Sequence, residues 1–192
     1  EIANRFYAVY EFCRNIDDLV DERKDKKELN KIIQTWNQNQ YHDIFDPFKT
    51  FDPKFLPKEH LITQFFHGQV SDIDHRQPKT LNELILYCYR VAGVVGLMLC
   101  DVMELQKKSL RYFAIDLGIA MQLTNISRDI YEDAKDCRLY LPETMIGKIK
   151  LSKVLSPNQK DLKKINSVRN KLINLADNYY ESANNGILFL PK

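Results

Sequence analysis

The segment from about Ser109 to Lys135 constrains this chain most. From Tyr112 to Leu123 its only polar side chains, besides the tyrosine hydroxyl, are Asp116 and Gln122. A helix that apolar belongs in an interior, not on a wet surface. Yet the segment goes on to carry Gln122, Asn125, Asp129 and Asp133, spaced three, four and four. On a helix turning about 100° per residue these fall within an arc of roughly 80°. Carboxylates in an interior are costly unless something cationic neutralises them. The fold must therefore wrap apolar helices around this one and bring positive charge to its acidic stripe.

The rest of the chain reads as helix after helix, with neither an alternating strand pattern nor an internal repeat. Helices are predicted from about Ile2 to Arg23, Lys27 to Gln40 and Lys58 to His67, with a proline-containing connection over residues 43 to 58. Thr80-Leu81-Asn82-Glu83 has capping-box spacing and opens a long helix to about Leu105. After the Ser109 helix, Pro142 opens a short segment that stops near Gly147. Ser156-Pro157-Asn158-Gln159 gives an N-cap and a proline at the first helical position, so a last helix runs to Asn184 with Gly186 as its terminator. Hydrophobic residues are 44% of the 192, with six glycines and seven prolines, which suits one all-α domain with a sizeable core.

Several function classes drop out. A net charge of +2 gives no general field for nucleic acid or membrane. The cysteines, 13, 88, 100 and 137, form no C-x-x-C pair, so they read as reduced thilos in an intracellular setting. The longest apolar run, Val91 to Cys100, is about half of the roughly 20 residues that span a membrane, and the N-terminus is not signal-like. There is no Walker A or G-x-G-x-x-G loop. The histidines at 42, 60, 67 and 75 lie in or beside connections and read as structural or surface residues.

A second acidic stripe lies on the first helix. Tyr10, Arg14, Asp17 and Asp21 fall within an arc of roughly 60°, with Asp18 beside them. Alone, this D-x-x-x-D pair reads as a solvated face. Together with the buried stripe it points to metal ions. All-oxygen ligands favour Mg²⁺ or Mn²⁺ over zinc, and no Glu-x-x-His supports a di-iron site. Mg²⁺ commonly bridges carboxylates and substrate phosphates. With Arg14 and Arg128 nearby, the pattern suggests a diphosphate clamp over an apolar interior suited to a long hydrocarbon. Replacing Asp129 with Asn is then expected to relieve repulsion among the carboxylates.

Tyr10-Glu-Phe-Cys-Arg-Asn-Ile-Asp-Asp-Leu-Val-Asp21 resembles the first aspartate-rich motif of the squalene/phytoene synthase family, and Gln122-Leu-Thr-Asn-Ile-Ser-Arg-Asp-Ile-Tyr-Glu-Asp133 its second. Tyr87 to Met98 is similar to the helix between them, and Arg138-Leu-Tyr-Leu-Pro142 and Gly186 to Pro191 match in order and spacing. The resemblance implies a type I isoprenoid synthase fold, helices around a deep apolar cavity, and the head-to-head joining of two prenyl diphosphates. By position it implies that Asp17, Asp21, Asn125, Asp129 and Asp133 hold Mg²⁺. It also implies that Arg14, Arg128 and Gln122 contact diphosphate, and that Tyr10 faces the reacting carbons. Asp18, Tyr87, Arg138 and Tyr140 complete the expected substrate contacts.

The stretch Val91 to Met98 is most like that of bacterial phytoene synthases, which implies geranylgeranyl diphosphate as substrate and carotenoid biosynthesis. Farnesyl diphosphate, leading to squalene with NADPH or to dehydrosqualene without it, is the alternative. A non-enzymatic assembly-factor relative is disfavoured by the intact aspartates, and a head-to-tail synthase by their spacing. Ala92, Gly93 and Gly96 serve close helix packing, room for a substrate chain, or both. Asp72 and Asp74 read as a solvated loop, with Asp72 at a family position. Gln77-Pro78 replaces a usual Arg-Tyr pair, Tyr131 a common glycine, and Cys137 the glycine before Arg138, so a different helix exit is expected there. Beside the family, residues 1 to 192 read as the core of one longer domain, lacking a flap before Glu1 and helices after Lys192. Cytoplasmic placement, peripheral membrane contact for product release and no nucleic-acid partner are the remaining expectations; the oligomeric state is left open.

Overall fold

The computed structural model describes residues 1–105 and 107–187, and among them every regular element is helical. Helix α1 (Ile2–Asp21) buries Val9, Phe12, Cys13, Ile16 and Val20, the spacing of one helical face. Helix α2 (Lys26–Asn37) starts where the Asp25 carboxylate accepts the Glu28 N–H at 3.0 Å. The proline-containing connection forms two short 3₁₀ turns, Asp43–Phe48 and Pro53–Phe55. The first drops Phe45 and Phe48 onto Phe12, with ring centroids 5.6 and 5.3 Å away. Helix α3 (Glu59–Ile73) closes this first core.

Helix α4 (Leu81–Cys88) is capped by the Thr80 hydroxyl, which accepts the Glu83 N–H. It continues through a π-helical turn, Tyr89–Gly93, into α5 (Val94–Val102). The whole body, Leu81–Val102, is long and apolar enough to cross a membrane by length and composition, more than the sequence expectation allowed. Part of it packs against protein: Val94, Leu97 and Met98 join the first core, and Leu84 and Cys88 a second. That second core also takes in α6 (Lys108–Arg128), α7 (Ile130–Lys135), α8 (Glu143–Ile146), α9 (Leu151–Leu155) and α10 (Gln159–Ile187). A part-buried ion pair, Arg111 to Asp101 at 2.6 Å, ties the end of α5 to the start of α6.

Several boundaries differ from expectation for identifiable reasons. Helix α3 runs past His67 to Ile73 because Gly68 is a contact, not a stop: a Cβ there would stand 2.7 Å from Val91 Cγ1. Gly186 likewise lies inside α10, where a Cβ would stand 2.6 Å from Phe113 Cβ. Helix α10 begins at Gln159 because Asn158, not Ser156, accepts the Asp161 N–H at 2.9 Å. The long Ser109 helix breaks at Asp129 (φ −101°, ψ 16°). Adjacent residues on an unbroken helix do not face each other, and the break accompanies a two-pronged pairing of Arg128 with the Asp129 carboxylate, both contacts at 2.6 Å.

The exit after α7 is not altered by Cys137. This residue takes a left-handed φ of 62°, the conformation glycine favours. Its N–H reaches the Ala134 carbonyl while the Arg138 N–H reaches that of Asp133, a Schellman ending that sets Arg138 beneath the acidic stripe. Of the Gly186 to Pro191 match, residues 188–191 lie outside the described residues.

Candidate functional site

Helices α1, α5, α6 and α10 enclose an apolar cavity of about 520 Å³, walled by Val95, Leu99, Leu110, Phe113, Leu117 and Met121. Two small residues set its shape. A Cβ on Gly118 would stand 2.6 Å from the Ala92 backbone, and one on Gly96 2.6 Å from the Ala114 carbonyl. Ala92 and Gly96 also line the cavity, so the small residues serve both close packing and open space.

A polar pocket of about 260 Å³ adjoins it. Asp17, Asp21, Gln69, Asp72, Tyr87, Gln122, Asn125, Asp129, Asp133, Arg138 and Tyr140 line that pocket. Asp17, Val91, Gln122 and Asn125 line both spaces, making the polar pocket the mouth of the apolar one. The two stripes thus meet across one opening, α1 on one side and α6–α7 on the other. Tyr10 and Arg14 line the apolar cavity. Asp18 and Arg128 line neither space: Asp18 is paired with Arg14 at 2.7 Å and Arg128 with Asp129. None of the four histidines lines either space.

Sequence reasoning missed α3's contribution. Asp72 is not in a solvated loop but buried, because α3 extends far enough to carry it inside. Its carboxylate accepts the Tyr140 hydroxyl at 2.6 Å and the Tyr87 hydroxyl at 3.0 Å, and the two rings stack at 5.0 Å. One turn earlier, the Gln69 amide donates to Asp17 Oδ1 at 2.7 Å. The signal in the sequence was Phe65, Phe66, Gln69 and Asp72 on one helical face, beyond the expected helix end at His67. Asp74 does sit at the surface, paired with Lys26 and Arg76. The departure at Gln77 is accommodated, since its amide donates to the Leu141 carbonyl at 2.8 Å.

Electrostatics mark the mouth as short of positive charge. Burial, reinforced by Asp21 and Asp72 against the opposing Gln69 hydrogen bond, pushes the Asp17 carboxyl up to about 7. Burial and neighbouring Asp129 push Asp133 up to about 7. Burial raises Asp72 to about 6 although both tyrosines favour its ionised form. Asp129 is held below the usual carboxylate range by Arg128. Against five aspartates the lining offers one cation, Arg138, whose Nη1 meets Asp21 Oδ1 at 2.7 Å. Arg138 Nε is buried without a hydrogen-bond partner, a state that costs free energy until an acceptor arrives.

Hard oxygen donors around an electropositive deficit fit divalent cations such as Mg²⁺. Among the described residues no three His, Cys, Asp or Glu side chains are grouped to hold an ion on their own. The donors stand around the opening, which suits ions whose shells are completed by water and phosphate oxygens. The orphan Arg138 N–H suits the same phosphate.

The pattern of the squalene/phytoene synthase family matches residues 1–192. A 15-cis-phytoene synthase from Enterobacter agglomerans is 31% identical over 95% of this chain and 68% of its own length. The chloroplastic phytoene synthase of Narcissus pseudonarcissus is 33% identical over 100% of this chain and 49% of its own. The crystal structure of a dehydrosqualene synthase in complex with ligand superposes with a TM-score of 0.74 at 32% identity, over 93% of this chain and 65% of that one. The chain therefore spans about half to two thirds of the length of such relatives, and its all-α architecture is the isoprenoid synthase fold.

Proposed function

The chain belongs to the squalene/phytoene synthase family, and on that premise we propose that it is the core of a prenyltransferase. The reaction is the head-to-head joining of two molecules of geranylgeranyl diphosphate to phytoene, by way of prephytoene diphosphate, in carotenoid biosynthesis. One observation carries the reading: Asp17, Gln122 and Asn125 line both the acidic mouth and the apolar cavity. A substrate with a diphosphate head and a long hydrocarbon tail matches that pair of joined spaces.

Asp17, Asp21, Asn125, Asp129 and Asp133 would hold Mg²⁺, which supplies charge to stabilise the departing diphosphate. Arg14 and Gln122 take diphosphate oxygens, Arg128 would do so on leaving Asp129, and the unpartnered Arg138 Nε adds a donor that is already in place. Tyr10 stands at the cavity's edge, where the reacting carbons lie. Tyr87 and Tyr140, fixed by Asp72, keep their hydroxyls in one place in the mouth. Val95, Leu99, Phe113 and Leu117 exclude water from the allylic cation left when diphosphate departs.

A second reading, farnesyl diphosphate to dehydrosqualene or, with NADPH, to squalene, is favoured by the similarity to the dehydrosqualene synthase. The test is mass spectrometry of products from the full-length enzyme given each prenyl diphosphate with Mg²⁺, with and without NADPH. A C40 product from geranylgeranyl diphosphate supports the first reading. A C30 product alone replaces it with the second, and no head-to-head product overturns both.

A further inference from the structure

We propose that Gln69 is a positioning residue: its amide fixes Asp17 for an incoming divalent cation without neutralising it, a role that rests on the metal-diphosphate reading above. Gln69 is 3% exposed on a helix face it shares with Phe65, Phe66 and Asp72. A polar side chain in such surroundings is destabilising unless it is hydrogen-bonded. Its amide nitrogen donates to Asp17 Oδ1 at 2.7 Å, joining α3 to α1 across 52 positions of chain. Gly68, the preceding residue, lets α3 lie close against the π-helical turn, because a Cβ there would stand 2.7 Å from Val91 Cγ1.

Asp17 differs from Asp18, Asp21 and Asp129 in its partner. Asp18 is held by Arg14 at 2.7 Å, Asp21 by Arg138 at 2.7 Å and Asp129 by Arg128 at 2.6 Å. Each guanidinium offsets the charge of the carboxylate it orients. The Gln69 amide orients Asp17 through one oxygen, brings no positive charge of its own and leaves the other oxygen to a ligand. Partners that aim a metal-binding group from behind are commonly worth 10- to 100-fold in metal affinity.

The test is Mn²⁺ binding in the presence of inorganic diphosphate, read by electron paramagnetic resonance on the full-length protein. Wild type is compared with Gln69→Met, Asp17→Asn and the double variant, each checked for folding by circular dichroism. Gln69→Met, close in shape but without a donor, should weaken binding by about tenfold. In the Asp17→Asn background the same change should cost less than about twofold, because the group it acts through is already altered. Gln69→Asn, which draws the amide back by one methylene, should weaken binding likewise and carries the comparison if the methionine variant does not fold. Wild-type binding in Gln69→Met, or an equal loss in both backgrounds, overturns the positioning role. A wild-type protein with no diphosphate-dependent Mn²⁺ binding overturns the metal-diphosphate reading itself, and the positioning role with it.

Discussion

Arg138 Nη1 lies 2.7 Å from Asp21 Oδ1, joining residues 117 positions apart. The contact ties the end of α1 to the exit of α7, so the first aspartate stripe is anchored to the segment that follows the second. Burial opposes the Arg138 charge, but Tyr140, Asp21 and Asp72 outweigh it and hold the group cationic. With Arg138 on Asp21 and Arg128 on Asp129, the remaining lining aspartates Asp17, Asp72 and Asp133 have no guanidinium in an ion pair with them among the described residues, and the mouth is primed for further positive charge.

That imbalance predicts a pH-dependent stability. Asp17 and Asp133 have folded-state values pushed up to about 7, above their ordinary value, so the native state binds more protons than the unfolded chain. Stability contributed by their protonation is present below about pH 4 and is lost as pH rises through about 7. Without divalent cations the thermal midpoint should fall between pH 5 and pH 8. Adding Mg²⁺ at pH 8 should restore it, because a ligand that binds only the folded form stabilises it. Differential scanning calorimetry at the two pH values, with and without Mg²⁺, checks both parts.

The two acids of the second stripe should respond differently to neutralisation. Asp129→Asn removes a carboxylate that Arg128 already holds low, so the relief expected from sequence is small there. Asp133→Asn removes one that burial and Asp129 disfavour, and should raise metal-free thermal stability at pH 8 by more than Asp129→Asn does. Each should lower the rate of product formation by about 10²- to 10³-fold, the typical loss of one electrostatic stabiliser. Thermal unfolding and product assays on the two variants separate the effects.

Tyr140→Phe tests the buried cluster on α3. It deletes the hydroxyl that donates to Asp72 at 2.6 Å and leaves Tyr87 as that carboxylate's remaining tyrosine donor. Leaving a buried acceptor short of a partner costs about 1–3 kcal/mol. The missing bond favoured the ionised form, so the loss should be larger at pH 8 than at pH 5, where Asp72 is protonated. Chemical denaturation at the two pH values gives the comparison.

Much of this was legible in the sequence, because acidic residues at helical spacing on apolar segments leave few arrangements open. What escaped notice shares one cause. Gly68 and Gly186 look like terminators by propensity, yet both sit inside helices because a partner, Val91 or Phe113, occupies the space of a Cβ. That approach is a tertiary fact with no local signature. An α3 ending at His67 instead of Ile73 left Asp72 and Gln69 off the helix. The break at Asp129 escaped for a similar reason, since Arg128 and Asp129 are neighbours in sequence and a regular helix would hold them apart. The Thr80 cap, by contrast, depends on residues within one turn and was readable.

Gly118→Ala should show how tightly the cavity wall is drawn. The added methyl would stand 2.6 Å from Ala92 C and O and from Gly93 N. Backbone atoms cannot rotate aside as a side chain can, so α6 and the π-helical turn must separate. Overpacking of this kind costs about 1–3 kcal/mol, which for a chain of this size lowers the thermal midpoint by about 2–12 °C, at 2–4 °C per kcal/mol. The consequence for function follows from which residues move. Ala92 lines the apolar cavity, and Val91 lines both the cavity and the mouth. Shifting them displaces the wall that shields the reacting carbons from water, so the variant should release more prenyl alcohol for each molecule of hydrocarbon formed. Gas chromatography of both products, beside a thermal melt, provides the check. A variant with lowered stability and an unchanged alcohol-to-hydrocarbon ratio would show that Gly118 serves helix packing alone.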